Sequence, residues 1–235
     1  MVLNLRSQLG DRNGVNKGAN STDYETTRYR KFAESRNFRP PRGLRGSVPL
    51  MKLRLRDVLF FLALGAVASL VGDHSHVVTG TTEYLTDAVP FVWSSPIWFP
   101  VLVALATVSL AELRLHLPSP RTDVTARQGL AGVAAVLGIY VTTALIHTAP
   151  VVPATALIVT LAVITWCALG DGPSVVCGLL AAVTGPVVEI LLARAGLFAY
   201  HEACDGLFGV APWLVPLYFA FGVVVALLAE IAAKR

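Results

Sequence analysis

Two stretches, SSPIWFPVLVALATVSLAE at residues 94–112 and APWLVPLYFAFGVVVALLAE at residues 211–230, share one pattern that decides the fold. Each stretch places a tryptophan between two prolines, continues as a long apolar run, and ends in Leu-Ala-Glu. An uncharged run of this length is typical of a helix that crosses a membrane. The chain is therefore predicted to contain two membrane helices of the same kind, one in each half.

The likeness between the two stretches extends upstream. Tyr84 precedes the second proline of the first stretch by as many residues as Tyr200 precedes the second proline of the other. Asp73 and Glu189 precede these two tyrosines by equal distances as well. The simplest interpretation is a pair of similar helical hairpins.

The composition places the chain in a membrane. Of its 235 residues, 54% are hydrophobic and only 14% are charged, which is too little polar surface for a water-soluble domain of this size. Thirteen of the nineteen Lys and Arg residues lie in residues 1–56. The chain therefore divides into a basic extension, residues 1–50, and an apolar domain, residues 51–235.

The extension lacks any apolar periodicity and is predicted to be disordered. Its basic excess could bind anionic lipid or nucleic acid, but a solvated tail is favoured, and no nucleic-acid partner is expected. Met51 begins MKLRLRDVLFFLALG, a natural start for a membrane protein. Residues 1–50 are therefore either a disordered tail or a sequence upstream of the true start.

Windows of apolar residues predict an all-α membrane protein with six transmembrane helices. The first window also fits a cleavable signal peptide. Retention is favoured, because the later hairpin keeps the helix that corresponds to it. The six windows are residues 58–71, 97–113, 130–146, 154–170, 174–193 and 213–231.

Lys and Arg in the short loops predict the orientation of the helices. Residues 73–96 and 147–153 contain no Lys or Arg, whereas basic residues precede the first span, follow the second and end the chain. Both termini are therefore predicted to be cytoplasmic. The basic residues after the first span on this side are Arg114, Arg121, Arg127, Lys234 and Arg235.

The loops on the other side of the membrane gather enough polar side chains to hold a divalent metal. The two histidines of GDHSH are two residues apart, however, and such a pair does not share a helix face. The chain also lacks HExxH, GxSxG and P-loop patterns. We therefore expect no metal, no cofactor and no catalytic residue, with a membrane enzyme or transporter as the alternative. The side chains concerned are Asp73, His74, His76, His147, His201, Glu202, Cys204 and Asp205.

Glu189 is the carboxylate placed deepest in a predicted span. It follows Gly185-Pro186, a pair that can kink a helix and free backbone carbonyls. A charge at this depth usually faces a cavity or a partner. Glu189 is therefore protonated, paired with Arg194, or bonded to a ligand hydroxyl.

Other residues have simpler interpretations. Glu112 and Glu230 lie at predicted helix ends beside Arg114 and Lys234, which predicts solvated charges. The three cysteines have scattered spacing and are predicted to be packing residues. Three tryptophans are predicted to mark the outer membrane interface: Trp93, Trp98 and Trp213.

Prolines and glycines predict a cavity between the helices. Pro100 and Pro216 are placed to bend the outer ends of two spans, and three glycines of the third span favour helices that splay at one leaflet (Gly129, Gly132 and Gly138). Such a cavity fills with a neutral lipid that carries one or two hydroxyls. The side chains predicted to line it are Trp98, Thr142, Thr143, His147, Thr160, Thr165, Glu189 and Tyr218.

Four segments, in this order, resemble the Insig proteins. They are SSPIWFP, IHTAPVVPA, LIVTLAVITWCALGDGPS and LFAYHEACDGLFGVAPWLVPLYF, and the likeness covers about residues 55–233. Insigs are six-helix proteins of the endoplasmic reticulum with both termini cytoplasmic. They bind oxysterols and retain the escort protein Scap.

The resemblance implies a non-enzymatic lipid-binding or sensing protein. The lipid is a sterol, or a diacylglycerol in a bacterium without abundant sterols. Asp171 matches an aspartate implicated in Scap contact, and His147 matches the histidine of an Asn-His-Ala-Ser segment in the family. The Ala-, Val- and Arg-rich sequence looks like that of a mycobacterial homologue. We therefore expect a bacterial plasma-membrane protein that has no Scap, and that is either a monomer or a homo-oligomer.

Overall fold

The computed structural model describes residues 52–234. Within this part of the chain, six helices are each long and apolar enough to cross a membrane, which confirms the predicted all-α membrane fold. The predicted extension, residues 1–50, lies outside the described residues. The helices are α1 (Leu55–Thr79), α2 (Trp98–His116), α3 (Ala126–Leu145), α4 (Val151–Leu169), α5 (Gly172–Arg194) and α6 (Leu214–Ala233).

Helix α6 lies at the centre of the bundle. In its most apolar stretch 67% of the residues are buried, against at most 39% in any of the other five helices. It packs against α5 along its length and also contacts α2, α3 and α4. Glycines allow two of these contacts to be close: a Cβ at Gly222 would lie 2.4 Å from the carbonyl oxygen of Cys177, and one at Gly129 would lie 2.8 Å from Ile231. Gly129 therefore supports close packing on α6 and does not splay the helices as predicted.

Helix α1 extends further than the sequence predicted. The residues after 71 were expected to form a loop, but the helix continues through His74 and His76 and ends at Gly80. Gly80 has φ 74°, a left-handed conformation that glycine adopts without steric strain. The prediction was wrong because GDHSHVV looks too polar for a span, whereas His76 is held inside the bundle by Thr143 of another helix.

The start of α5 is set by four local residues, Asp-Gly-Pro-Ser at 171–174. Asp171 accepts a hydrogen bond from the backbone N–H of Ser174 at 2.8 Å, and the Ser174 hydroxyl accepts one from the backbone N–H of Asp171. Pro173 lies in the first turn, where its missing N–H has no partner to lose. This reciprocal cap fixes where the chain turns from α4 into α5.

Short strands join the helices at one end of the bundle, which we call the strand end. Strand β1 (Thr82–Tyr84) pairs antiparallel with β4 (Phe198–Tyr200), and β2 (Phe91–Val92) pairs with β3 (Ser95–Pro96). Residue i of the α1–α2 hairpin corresponds to residue i + 116 of the α5–α6 hairpin, as the two tyrosines show. In the β1–β4 pair, Glu83 lies opposite Ala199, its own counterpart. The two hairpins therefore meet across a local two-fold axis.

The opposite end of the bundle holds a buried charge cluster, formed by Arg114, Arg121, Asp171 and Glu230. Arg114 is fully buried and donates to Glu230 and, at 2.9 Å, to Asp171. Arg121 donates from Nε to Glu230 at 2.9 Å. The prediction that Glu230 is solvated was wrong, because both of its oxygens bind guanidinium groups from other segments.

Two further predictions about single residues need correction. The Glu112 carboxylate is not simply solvated, since it accepts from the backbone N–H groups of Lys52 at 2.5 Å and Leu53 at 3.0 Å. Trp213 is fully buried in the apolar core, so it does not mark a membrane interface. It belongs to one buried cluster with Cys204 and Val210 of the segment that follows β4, which a linear pattern of prolines and tryptophans does not show. Trp93 is exposed at the strand end.

The orientation in the membrane remains a prediction. Because Lys and Arg are absent from residues 73–96, the strand end should face away from the cytoplasm. Reporter fusions after residues 85 and 120 should then lie on opposite sides of the membrane, with residue 120 inside. A reporter at residue 120 that is active outside the cytoplasm would contradict this orientation.

Candidate functional site

A cavity of about 290 Å³ lies beneath the β1–β4 pair. Its wall is formed by α1, α2, α3, α5, α6 and both strands, so it occupies the middle of the bundle near the strand end. Most of the wall is apolar or aromatic. The aromatic side chains are Tyr84, Trp98, Phe99, Tyr140, Phe198, Tyr200, Tyr218 and Phe221.

The cavity opens sideways between α2 and α5. Leu102 of α2 and Val188 of α5 line it, and both side chains are also exposed on the outside of the bundle. Ala106 and Thr184 line it in the same way. Since these helices are apolar enough to cross a membrane, the opening faces the hydrocarbon of the bilayer.

A second, narrower space of about 60 Å³ adjoins the first on the side of α1 and α3. Tyr140, Glu189 and Tyr218 line both spaces. Ala68 and Leu137 line only the narrower space. These three shared side chains therefore form the boundary between the cavity and the narrower space.

On the outer side of the strands is a wider polar groove of about 870 Å³. Thr82, Tyr84 and Tyr200 line this groove and the inner cavity alike. Strands β1 and β4 therefore form the wall between the cavity and the groove.

Two carboxylates lie in the cavity wall, and each is held by a tyrosine eleven residues later in the chain. Tyr84 donates its hydroxyl to Oδ2 of Asp73 at 2.9 Å, and Tyr200 donates to Oε2 of Glu189 at 2.6 Å. The matching distances along the sequence thus correspond to the same hydrogen bond in both hairpins. These bonds attach each strand to the helix that precedes it.

Each carboxylate has a second donor. Ser95 of β3 donates to Asp73 Oδ2, and Tyr218 of α6 donates to Glu189 Oε1 at 2.5 Å. The second donor differs in kind between the hairpins, so the two-fold relation is approximate at this point.

The two strand tyrosines remain protonated donors. Burial, and next the neighbouring Asp73 carboxylate, raise the pKa of Tyr84 far above its usual value. Burial and then Glu189 raise the pKa of Tyr200 in the same direction. A phenolate would lie buried beside a carboxylate, so both hydroxyls keep their protons and donate over the physiological pH range.

Two glycines make room for the remaining tyrosine rings of the cavity. A Cβ at Gly72 would lie 1.9 Å from the Tyr140 ring, and one at Gly185 would lie 2.5 Å from the Tyr218 ring. Real side chains do not approach so closely. Gly185, which the sequence indicated as part of a kink, therefore allows the Tyr218 ring to pack close to α5, where its hydroxyl donates to Glu189.

Only three of the residues predicted to line the cavity do so: Trp98, Glu189 and Tyr218. The side chains of Thr142, Thr160 and Thr165 bond to carbonyl oxygens of their own helices, and Thr143 binds the buried ring of His76 at 2.8 Å. His147 bonds to the carbonyl oxygen of Ala144 and packs against His201. Threonine hydroxyls on apolar helices commonly donate to a carbonyl oxygen of the preceding turn. Their hydrogen-bonding capacity is then met within the helix, without a ligand in the cavity.

Glu189 does not pair with Arg194, since its hydrogen bonds go to two tyrosines. Asp171, the residue matched to a partner contact, lies in the buried charge cluster, where its side chain also caps α5. Its role in a partner contact stays a prediction.

The polar residues predicted on the far side do not converge. His74 binds Ser94 and stacks on Trp93, whereas His76 faces Thr143 inside the bundle. Within residues 52–234, no group of three or more His, Cys, Asp or Glu side chains is placed to hold a metal ion. The absence of a tightly bound metal remains a prediction.

Sequence reasoning missed most of the cavity wall, including Asp73, Tyr84 and Tyr140. The signal for the first two was present, because both belong to the repeated acid and tyrosine pattern. What the sequence did not show is that β1 and β4 pair and bring both patterns to one cavity. No sequence pattern pointed to Tyr140, because the position of its ring depends on the missing side chain at Gly72 of another helix.

The chain was compared with characterised proteins. It is 68% identical over 185 residues to a protein described as an INSIG protein homolog from Mycolicibacterium vanbaalenii. The alignment covers 79% of this chain and 91% of that protein. The chain belongs to the Insig family. No protein-family model matches it.

Solved Insig structures support the fold. The crystal structure of the mycobacterial Insig homolog MvINS from Mycobacterium vanbaalenii matches with a TM-score of 0.78 at 68% identity, covering 79% of this chain and 98% of that one. A cross-linked trimer of a cysteine variant of MvINS matches with the same TM-score at 67% identity and with the same coverage. This Insig homologue is thus an integral membrane protein with the six-helix fold of its relatives.

Proposed function

We propose that this Insig homologue is a non-enzymatic lipid-binding protein that holds a neutral lipid with a free hydroxyl in the cavity. The observation that carries the proposal is the form of the cavity: a mostly apolar and aromatic wall contains two carboxylates, and the cavity opens between two helices that are apolar enough to cross a membrane. A diacylglycerol or a hydroxylated sterol suits such a wall, because each is mostly hydrocarbon and carries a free hydroxyl. The cavity volume suits the polar end of the lipid, with the chains extending through the opening.

The charges of the wall favour a neutral lipid over an anionic one. Two carboxylates line the cavity, and neither Lys nor Arg is among its lining residues in the described part of the chain. A phosphate or a fatty-acid carboxylate would be buried in this wall without a cation to pair with. A hydroxyl, by contrast, can donate a hydrogen bond to a carboxylate oxygen.

The bonding of Glu189 and of three histidines argues against a catalytic role for these four residues. Both oxygens of Glu189 accept from tyrosines, and His74, His76 and His147 are each engaged with separate partners. A general base needs a free position within reach of a substrate proton. The proposed function needs no metal and no cofactor.

The mycobacterial relative suggests where and how the protein works. A homologue with this likeness to a bacterial protein belongs in a bacterial plasma membrane. The cross-linked trimer of MvINS supports a homo-oligomer for this chain too. Scap is not a partner in such a membrane. A sensing role would therefore use a different partner protein.

Native mass spectrometry of the detergent-purified protein tests the proposal. We expect a neutral lipid in a fixed ratio to the chain, on a particle that contains more than one chain. Ala106→Trp should reduce the bound lipid, because Ala106 lines the opening between α2 and α5. The control is Leu105→Trp, one residue away on the same helix and exposed outside the cavity.

Two results would contradict the proposal. One is a purified protein without any bound neutral lipid that also fails to bind added diacylglycerol or sterol. The other is equal lipid occupancy in the Ala106→Trp and Leu105→Trp variants.

A further inference from the structure

The two carboxylates of the cavity are equivalent by position but differ in how their oxygens are used. Each oxygen of Glu189 accepts one tyrosine hydroxyl, from Tyr200 and Tyr218. Asp73 accepts from Tyr84 and Ser95, but both bonds go to Oδ2. Among the hydrogen bonds of residues 52–234, none reaches Asp73 Oδ1.

The difference follows from which residues the two hairpins have at equivalent positions. With the offset of 116 residues, the counterpart of Tyr218 is Leu102, and the counterpart of Ser95 is Ala211. The α5–α6 hairpin therefore supplies a phenol for the second oxygen of its carboxylate. The α1–α2 hairpin supplies an apolar side chain at that place, and Leu102 lines the cavity.

We propose that Asp73 is the residue that determines which lipid binds, with Oδ1 accepting a hydrogen bond from the free hydroxyl of the ligand. This inference rests on the proposed function and names the group of the ligand that is recognised. The ligand hydroxyl takes the place in the first hairpin that the Tyr218 hydroxyl takes in the second. The lipid is therefore oriented with its hydroxyl near the strand end and its chains toward the opening between α2 and α5.

The selectivity follows from the chemistry of a carboxylate oxygen. It accepts hydrogen bonds and donates none, so a lipid whose hydroxyl is methylated or esterified brings an acceptor against an acceptor. The buried oxygen then loses water and gains no partner. The site should accept lipids with a free hydroxyl and discriminate against ethers, esters and ketones of the same shape.

The first test compares two lipids on the full-length protein after removal of its bound lipid. The probes are 1,2-dioleoylglycerol and its 3-O-methyl ether, measured by native mass spectrometry in one detergent. We expect the natural protein to prefer the alcohol by about tenfold or more, the effect of one buried hydrogen bond to a charged group.

Asp73→Asn should remove or reverse this preference. Tyr84 and Ser95 both need an acceptor, so the amide keeps its carbonyl oxygen on them and presents its NH₂ group to the cavity. That group can donate to the ether. The matched variant is Glu189→Gln, the same acid-to-amide change at the equivalent position, which alters binding of both lipids alike and leaves their ratio unchanged.

A second pair of variants does not depend on Asp73→Asn folding. Leu102→Tyr gives the first hairpin the phenol that the second one has, and this phenol competes with the ligand for Oδ1. Leu102→Phe adds nearly the same volume without the hydroxyl. We expect weaker binding of 1,2-dioleoylglycerol in the tyrosine variant than in the phenylalanine variant.

The outcomes separate this inference from the proposed function. If the natural protein binds neither probe, the proposed function fails and the inference fails with it. If both probes bind equally well to the natural protein, or the preference for the alcohol survives Asp73→Asn, only the role of Asp73 is overturned. Equal binding by the two Leu102 variants also overturns it.

Discussion

Replacing Glu230 by leucine is expected to lower the stability of the folded protein by about 3–5 kcal/mol, the usual effect of removing one partner of a buried ion pair. Glu230 accepts from Arg114, which is fully buried, and from Arg121. Without it, two guanidinium groups share the single carboxylate of Asp171. The measurement is the free energy of unfolding, or the thermal midpoint, in one detergent.

Two controls show that the effect comes from the unpaired charge. Asp123→Leu removes a carboxylate that is exposed at the same end of the protein and should have little effect. The double change Arg114→Leu with Glu230→Leu should recover part of the lost stability, because it leaves Arg121 and Asp171 as a neutral pair. A single Glu230→Leu variant as stable as the Asp123→Leu variant would show that the buried charge cluster does not stabilise the bundle.

Replacing Glu189 by leucine should have the second largest effect. The change leaves the Tyr200 and Tyr218 hydroxyls without an acceptor, at about 1–3 kcal/mol for each buried group. Because Tyr200 lies in β4, the strand end should also loosen. Tyr200→Phe is the control, since it removes one donor and leaves no tyrosine hydroxyl unpaired.

Cys204 reports this loosening. Its thiol is buried just after β4, and burial raises its pKa to about 11, so it reacts slowly with maleimide at neutral pH. In a Cys167→Ser background, which removes the exposed cysteine, Glu189→Leu should speed the labelling of Cys204 well beyond Tyr200→Phe. Equal labelling rates in both variants would mean that Glu189 does not hold the strand end.

Much of the fold could be predicted, because membrane helices depend on a local property. Each of the six windows contains enough apolar residues to identify its helix without knowledge of the others. The start of α5 was predictable for the same reason, since Asp171 and its proline act within one turn. The end of α1 was not, because the polar residues around His76 are stabilised as helix by a buried partner, Thr143, on another helix.

The site was predictable only in part, because its residues meet through long-range packing. Glu189 stood out as a carboxylate inside a span, and its environment could be narrowed to three alternatives. Asp73 looked like a loop residue, although the repeated spacing linked it to Glu189. His147 and the helix threonines were natural choices as polar residues in apolar surroundings, but each finds a partner nearby in its own helix or in a neighbouring one.

The buried charge cluster also constrains how the protein is made. Arg114 belongs to the second helix of the described six and its partner Glu230 to the sixth, 116 residues later. At ribosomal rates that interval is on the order of ten seconds. Until Asp171 is made, 57 residues after Arg114, the guanidinium must stay hydrated at the membrane surface, because an unpaired charge is costly inside hydrocarbon. From then until Glu230 arrives, Arg114 and Arg121 have one carboxylate between them, so the cluster is complete only when α6 joins the other five helices.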